Sequence, residues 1–214
     1  MDRRHIISDI VSKVLPVTLF LLAVVFISGQ CLAQVTPVAG PQLEPKKGRF
    51  LVATDKLSNT SFKETVIFVT HFSSLGATGI AINRPAHIPL SEAFPTIKEL
   101  SSLKESLYLG GPVKTNGIFV LMKTKRPHAG MKQVTDDIYF TVGLNAVIHG
   151  SSKAEDGEVA RAYAGYTGWR AGQLQEEIKR GDWIIVDTDT SIVFEENPDN
   201  LWQRLRKKWS GDWI

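Results

Sequence analysis

Val159-Ala160-Arg161-Ala162-Tyr163-Ala164-Gly165-Tyr166-Thr167-Gly168-Trp169-Arg170-Ala171-Gly172-Gln173-Leu174 is the stretch that decides how this chain is built. Residues 159–166 carry the β-branched and aromatic side chains of a strand. Gly165, Gly168 and Gly172 then allow sharp turning. From about Arg170 to Arg180 the pattern becomes helical: Leu174 and Ile178 share one face, Lys179 and Arg180 occupy the last turn, and Gly181 stands at the exit. Strand, glycine turn and helix follow one another directly.

Outward from there, the same signals predict strands at residues 49–53, 65–71, 78–82, 106–109, 118–122, 138–141, 182–186 and 191–194. Thr141 is expected to cap a helix carrying Leu144, Val147 and Ile148 and stopped by Gly150. Asn197 is expected to cap another, with Pro198 at its first position and Leu201, Trp202, Leu205 and Trp209 facing inward. A further helix is read at residues 96–104. Strands and helices alternate without a regular βαβ rhythm, which predicts an α+β domain with a mixed sheet. No second linker, repeat or low-complexity tract divides residues 48–214, so they are read as a single domain.

Residues 1–33 read differently. Asp2, Arg3, Arg4 and Lys13 bracket a charged start, residues 14–29 hold no charge, and Cys31-Leu32-Ala33 puts small residues at −3 and −1 of a cut before Gln34. Those are the three parts of a secretory signal, and the apolar run is shorter than the ~20 residues of a relaxed membrane span. An uncleaved membrane anchor at residues 14–32 is the main alternative. A lipidated Cys31 fits poorly because Gln30 precedes it, and a buried core helix or mis-assigned start completes the range. Residues 34–47, with Pro37, Gly40, Pro41 and Pro45, are a linker. The expectation is an exported, periplasmic domain, freed from the leader or held to the membrane by it; a cytoplasmic protein is the alternative.

Composition narrows the chemistry. The chain's one cysteine, Cys31, lies in the leader, so the domain has no disulfide, thiolate nucleophile or cysteine metal site. Of 25 Lys/Arg and 22 Asp/Glu, the leader holds three and two, leaving 22 against 20. That balance supplies little drive toward nucleic acid. There is no Walker loop, His-Glu-x-x-His, Gly-x-Ser-x-Gly or dinucleotide fingerprint, so neither a catalytic set nor a cofactor is assigned. The run 183–191, with Asp187 and Asp189, imitates the aspartate pair of a haloacid-dehalogenase phosphatase. Only 23 residues follow Ser191, too few for the rest of that fold, and a hairpin turn at 187–190 is the reading preferred.

Three segments stand out: Gly79 to Pro85, with Asn83 and Arg84; Gly110-Gly111-Pro112-Val113; and Gly165 to Leu174, with Gly168, Trp169, Arg170, Gly172 and Gln173. Each follows or ends an expected strand. The last opens a helix whose first N–H groups offer an anion seat, to which Arg84 and Arg170 would add charge. The simpler reading of the glycines is tight turning and close packing around Trp169. His71, at a strand end, and Glu177 are the candidate acid–base groups, although a strand-end histidine is usually satisfied by backbone. His87, His128 and His149 have no partner at metal-ligand spacing in the sequence, and no metal site is assigned. Arg204, Arg206, Lys207 and Lys208 end a helix near three tryptophans, a cluster suited to nucleic acid or lipid, or simply to a solvated helix end.

Together these segments resemble the YqgE/AlgH family of small bacterial proteins. The likeness runs from Phe50-Leu51-Val52-Ala53 through Phe62, Val66, His71, Gly76-Ala77 and Gly79. It continues with Asn83-Arg84-Pro85, Gly110-Gly111-Pro112, Gly165-Tyr166, Trp169, Gly172-Gln173-Leu174, Glu177, Trp183, Phe194 and Trp202. The resemblance implies a compact α+β fold with a partly barrel-like sheet flanked by helices. It implies no known activity, although some members are labelled transcriptional regulators. This chain departs from the family in its leader and in Val120-Leu121-Met122-Lys123, where the family strand usually closes with a histidine.

Three functions are consistent with this reading. The first is a non-enzymatic binding or regulatory module outside the cytoplasm, meeting a protein or an anionic small molecule at the surface where the three segments gather. The second is a hydrolase of an anionic compound using His71 and Glu177. The third is the cytosolic transcriptional regulator of the family label, for which the sequence has no helix-turn-helix or basic stripe.

Overall fold

The computed structural model describes residues 43–151 and 157–209. The segment read as a leader, its expected cleavage site and most of the expected linker lie outside the described residues. No helix among the described residues is long and apolar enough to cross a membrane.

The strands in chain order are β1 Phe50–Ala53, β2 Val66–Ser73, β3 Gly76–Ala81, β4 Pro85–Pro89, β5 Ser106–Leu109, β6 Val113–Lys123, β7 Lys132–Gln133, β8 Ile138–Val142, β9 Val159–Arg170 and β10 Trp183–Val186. The helices are α1 Leu90–Ala93, α2 Asn145–Ser151, α3 Gln173–Arg180 and α4 Leu201–Trp209. The sheet order is β10-β1-β2-β3-β9-β6-β8-β7, with β4 paired to β5 off this path. Every pairing is antiparallel except β5 with β9. The domain is α+β, a curled half-barrel flanked by helices, as the sequence and the family resemblance lead one to expect. The curl brings the residues before β1 to β7, where Lys47 Nζ donates to the Gln133 carbonyl at 3.0 Å.

β9 is the spine. Residues 159–164 pair with β6, which rejoins at Tyr166 after an irregularity; residues 163–164 also pair with β5 and residues 167–170 with β3, so partners change around Gly165-Tyr166. Gly165 sits at φ +71, and a Cβ there would lie 2.3 Å from the Gly111 carbonyl oxygen.

The inner strands read as unbroken apolar runs because both faces are covered. Phe50, Val52, Val66, Phe68, Phe119 and Leu121 enter one core, which also takes Val193, Leu201 and Leu205. Leu51, Ala53, Ile67 and Val69 turn the other way, under Leu174 and Ile178 of α3 with Trp169 and Trp183. Val120 and Met122 meet Leu90 of α1, Leu144 just before α2 and Val147 of α2 in a third cluster.

Several expectations need correction. The hairpin at 187–190 does not form: Thr190–Phe194 is a 3-10 helix. Asp189 caps it, its carboxylate accepting the Ser191 N–H at 2.8 Å, and Val193 is buried from a turn rather than a strand. Residues 96–104 give only the 3-10 turn Lys98–Leu100. Thr141 does not cap a helix; it pairs with Val120, and α2 starts at Asn145 and continues through Gly150. Asn197 makes no side-chain cap, and Pro198–Asn200 is a 3-10 turn leading into α4. The helix expected from Arg170 begins at Gln173, because Arg170 still pairs with Gly76.

Candidate functional site

The three segments singled out in the sequence meet only in part: Thr167 of the third pairs with Gly79 of the first, and Gly165 lies against Gly110 and Gly111 of the second. Asn83-Arg84 and Gly110-Gly111 do meet. The Ala81 N–H donates to the Gly110 carbonyl (2.9 Å), Gly110 N–H to Ala164 (2.8 Å) and Leu109 N–H to Arg84 (2.8 Å). Asn83 bridges two segments, its Oδ1 accepting the Val66 N–H (2.8 Å) and its Nδ2 donating to the Glu64 carbonyl (2.9 Å). Arg84 Nη2 donates to the Lys63 carbonyl at 2.7 Å. Burial lowers the Arg84 pKa, and the Glu64 carboxylate works against that. A shallow hollow of about 240 Å³ lies here, mostly apolar, with Phe62, Leu109 and Pro112 beside Arg84 and Gly111.

From Gly168, which pairs with Thr78, the third segment runs away from Asn83 through Trp169, Arg170, Gly172 and Gln173. Arg170 pairs with Gly76 at the start of β3, whereas Asn83 follows the end of that strand. At ~3.3 Å per residue that places them roughly 16 Å apart or more. Beside the expected anion seat, side chains of the helix bond to the protein itself. Gln173 Oε1 accepts the Arg170 N–H (3.2 Å), and Gln173 Nε2 donates to Glu177 Oε1 (2.9 Å). The other Glu177 oxygen accepts the indole N–H groups of Trp169 (2.8 Å) and Trp183 (2.9 Å). Glu177 therefore ties α3 to β9 and β10, on the face of the second core.

His71 belongs to the opposite face. It is exposed on β2 opposite Thr78, next to a pairing irregularity between Val69 and His71. The extra residue brings Thr70 and His71 to one cleft of about 390 Å³, with Lys47, Lys114 and Lys132 around it and Phe119, Phe140 and Tyr166 beneath. Phe119 and Phe140 lie nearly parallel (16°, centroids 5.8 Å), and Tyr166 meets Phe119 edge-on at 5.1 Å. The Thr70 and Thr78 hydroxyls are 3.0 Å apart. Lys114 sits at φ +50, within the irregular β6 pairing between Val113 and Ile118. Among the described residues, none lining the cleft is acidic. Among the described residues, Lys47, Lys114 and Lys132 form no ion pair.

Sequence reasoning found His71 and missed the lysines. They come from the approach to β1, from β6 and from β7, so only the curl of the sheet unites them, and no linear spacing could have signalled it. The structure also brings together His128 and His149, which sequence spacing left apart, with ring centroids 5.9 Å from each other. Among the described residues, no three His, Cys, Asp or Glu side chains are grouped to hold a metal ion.

Comparison with known proteins extends over nearly the whole domain. The AlgH-like family model matches residues 50–214. A UPF0301 protein of Methylococcus capsulatus is 34% identical over 163 residues, covering 75% of this chain and 89% of that protein. A UPF0301 protein of Marinomonas is 31% identical over 159 residues, covering 72% and 83%. The solution structure of the AlgH protein from Pseudomonas aeruginosa superposes with a TM-score of 0.64 at 24% identity, over 78% of this chain and 91% of that one. A crystal structure of a Corynebacterium diphtheriae protein gives 0.65 at 21% identity, over 79% and 90%. These two structures speak for the fold alone. The sequence relatives carry only a family label, with no activity attached. With the model spanning the domain from β1 onward and relatives above 30% identity along most of their length, the chain belongs to the AlgH-like (YqgE/AlgH) family.

Proposed function

We propose that this protein is a non-enzymatic binding module whose cleft around His71 takes a small anionic molecule, and that it acts outside the cytoplasm. The observation that carries the site is the meeting of three lysines and His71 over an aromatic floor with no carboxylate among the described lining residues. Like charges held together without compensation favour an anion, and a partly enclosed apolar floor strengthens that attraction. A cleft of about 390 Å³ suits a small molecule.

The hydrolase reading loses support, since it needs His71 and Glu177 to work on one substrate. They lie on opposite faces of the sheet, and both Glu177 oxygens are engaged by the protein. The regulator label gains none from α4, where Arg204 pairs with Glu195 and Arg206 with Asp55 (2.9 Å). The site outside the cytoplasm rests on the leader's charged start, apolar run and small-residue exit.

A thermal-shift screen of the full chain against anionic metabolites tests the site. A ligand at a hundred times its Kd stabilises by about 2.7 kcal/mol, which raises the Tm of a domain this size by roughly 5–10 °C. The shift should vanish in the Lys47→Ala/Lys132→Ala variant. No shift with any anion would sink the reading. N-terminal sequencing from separated cell fractions tests the location; an intact leader on protein from the cytosol would refute it.

A further inference from the structure

We propose that the ligand of the His71 cleft is a phosphate monoester borne on a planar aromatic ring, a nucleoside monophosphate being the simplest example; this rests on the anion-binding reading above. Three features of the cleft separate that class from other anions.

The first is the amount of positive charge. Lys47, Lys114 and Lys132 surround the cleft with His71, and none of the three lysines is neutralised by a carboxylate among the described residues. A carboxylate brings one negative charge, whereas a phosphate monoester brings about −1.5 to −2 near neutral pH and three strong acceptor oxygens. Lysines contributed by three separate segments suit a tetrahedral anion, since each ammonium acts as a point charge without the planar fork of arginine.

The second is the floor. Phe119, Phe140 and Tyr166 line the cleft as one aromatic cluster beside those charges, Phe119 nearly buried and the other two half-buried. Inorganic phosphate has no use for such a surface, but a flat ring stacks on it with little demand on its identity. Beside the floor, the Thr70 and Thr78 hydroxyls lie 3.0 Å apart. When one donates to the other, one hydroxyl proton is left to donate to a ligand oxygen.

The third is the backbone. Lys114 holds φ +50 inside a break in the β6 pairing, a conformation that costs a non-glycine residue energy. A lysine kept there, at the rim of the cleft, is positioned by the fold and is not simply one of many on the surface. The cleft's size, near the lower end of the ~300–1,000 Å³ of small-molecule sites, fits one ring with one phosphate and not a polymer segment.

Calorimetric titration of the full chain with the four common nucleoside monophosphates, their nucleosides, inorganic phosphate, benzoate and a short single-stranded oligonucleotide decides the matter. At least one monophosphate should bind on the order of ten-fold or more tightly than its nucleoside, phosphate or benzoate, from loss of one charge-assisted contact or the stacked ring. Lys114→Gly/Lys132→Ala, the glycine preserving the backbone conformation, should weaken that monophosphate on the order of ten-fold and leave its nucleoside unchanged. Phe140→Leu should weaken monophosphate and nucleoside alike and leave phosphate alone. Benzoate binding as tightly as every monophosphate would overturn this inference while the anion-binding reading stands. Preference for the oligonucleotide, lost in the same lysine variant, would also overturn it, and binding of no anion at all would remove both.

Discussion

The Trp183 indole N–H donates to the carboxylate of Glu177 at 2.9 Å, and the Trp169 indole reaches the same oxygen from β9 at 2.8 Å. One side chain of α3 thus satisfies two tryptophans that are 6% and 2% exposed. Trp169 and Trp183 also meet edge-on, with centroids 6.2 Å apart. Glu177 is a clamp of the outer face. Glu177→Ala leaves two nearly buried donors without an acceptor, so it should lower unfolding stability by about 2–4 kcal/mol in urea with an unchanged m-value. Glu177→Gln keeps an acceptor and should recover about half of that loss. Equal losses in the two variants would mean the hydrogen bonds matter less than packing.

Gly165 and Gly172 both hold positive φ, yet they should respond differently to substitution. A Cβ at Gly165 would sit 2.3 Å from the Gly111 carbonyl oxygen and 2.9 Å from that of Val113; one at Gly172 meets nothing within 4 Å. Gly172→Ala carries only the conformational cost, about 1–2 kcal/mol. Gly165→Ala adds a clash between backbones and should cost roughly 3–5 kcal/mol. Denaturant midpoints of the two variants make the comparison.

These two glycines also show how far the sequence could be read. Phe50 to Ala53, Val66 to Val69 and Trp183 to Val186 announced strands because their apolar runs are buried on both faces. Gly165 announced a special backbone position, but the turn expected after it is a change of partner within one long strand, β9. That depends on β3 and β6, which lie far from it in the chain. Ser191 to Phe194 misled because β-branched residues buried from a capped 3-10 turn look like a strand. The site was legible only at His71. Its lysines are united by closure of the sheet, and closure leaves no local mark.

Tyr163 offers a test of opposite sign. It is fully buried in the inner core, and its hydroxyl makes no hydrogen bond of good geometry. The neighbouring Arg161 guanidinium is held by the carbonyls of Val193 (2.9 Å) and Glu195 (2.8 Å) and stacks over Tyr108 at 4.4 Å. Tyr163→Phe should therefore be neutral or stabilising, by up to about 1 kcal/mol.

The same hydroxyl makes stability depend on alkaline pH. Burial raises the Tyr163 pKa well above the ordinary phenol value, with Arg161 opposing the rise. Above pH ~10 the unfolded chain releases this proton while the folded chain keeps it. The unfolded state then binds fewer protons, so this contribution is intact below that pH and is lost as pH climbs toward the folded value. Wild type should lose stability between pH ~10 and ~11.5 more steeply than Tyr163→Phe, as read from urea midpoints across that window.

Asn83 separates architecture from binding. It accepts the Val66 N–H and donates to the carbonyl of Glu64, itself at φ +54. Asn83→Ala should cost about 2 kcal/mol by orphaning a buried backbone donor, and should leave anion affinity at the His71 cleft unchanged.

The central claim, that the His71 cleft binds anions, is tested most directly by backbone amide chemical-shift mapping during titration with a bound anion found in the thermal screen. Saturable shifts should concentrate at Lys47, Thr70, His71, Thr78, Lys114, Lys132 and Gln133, and disappear in Lys47→Ala/Lys132→Ala. Shifts centred on Gly172 and Gln173 at the start of α3, or around Arg84 and Gly111, with the cleft residues unmoved, would contradict it.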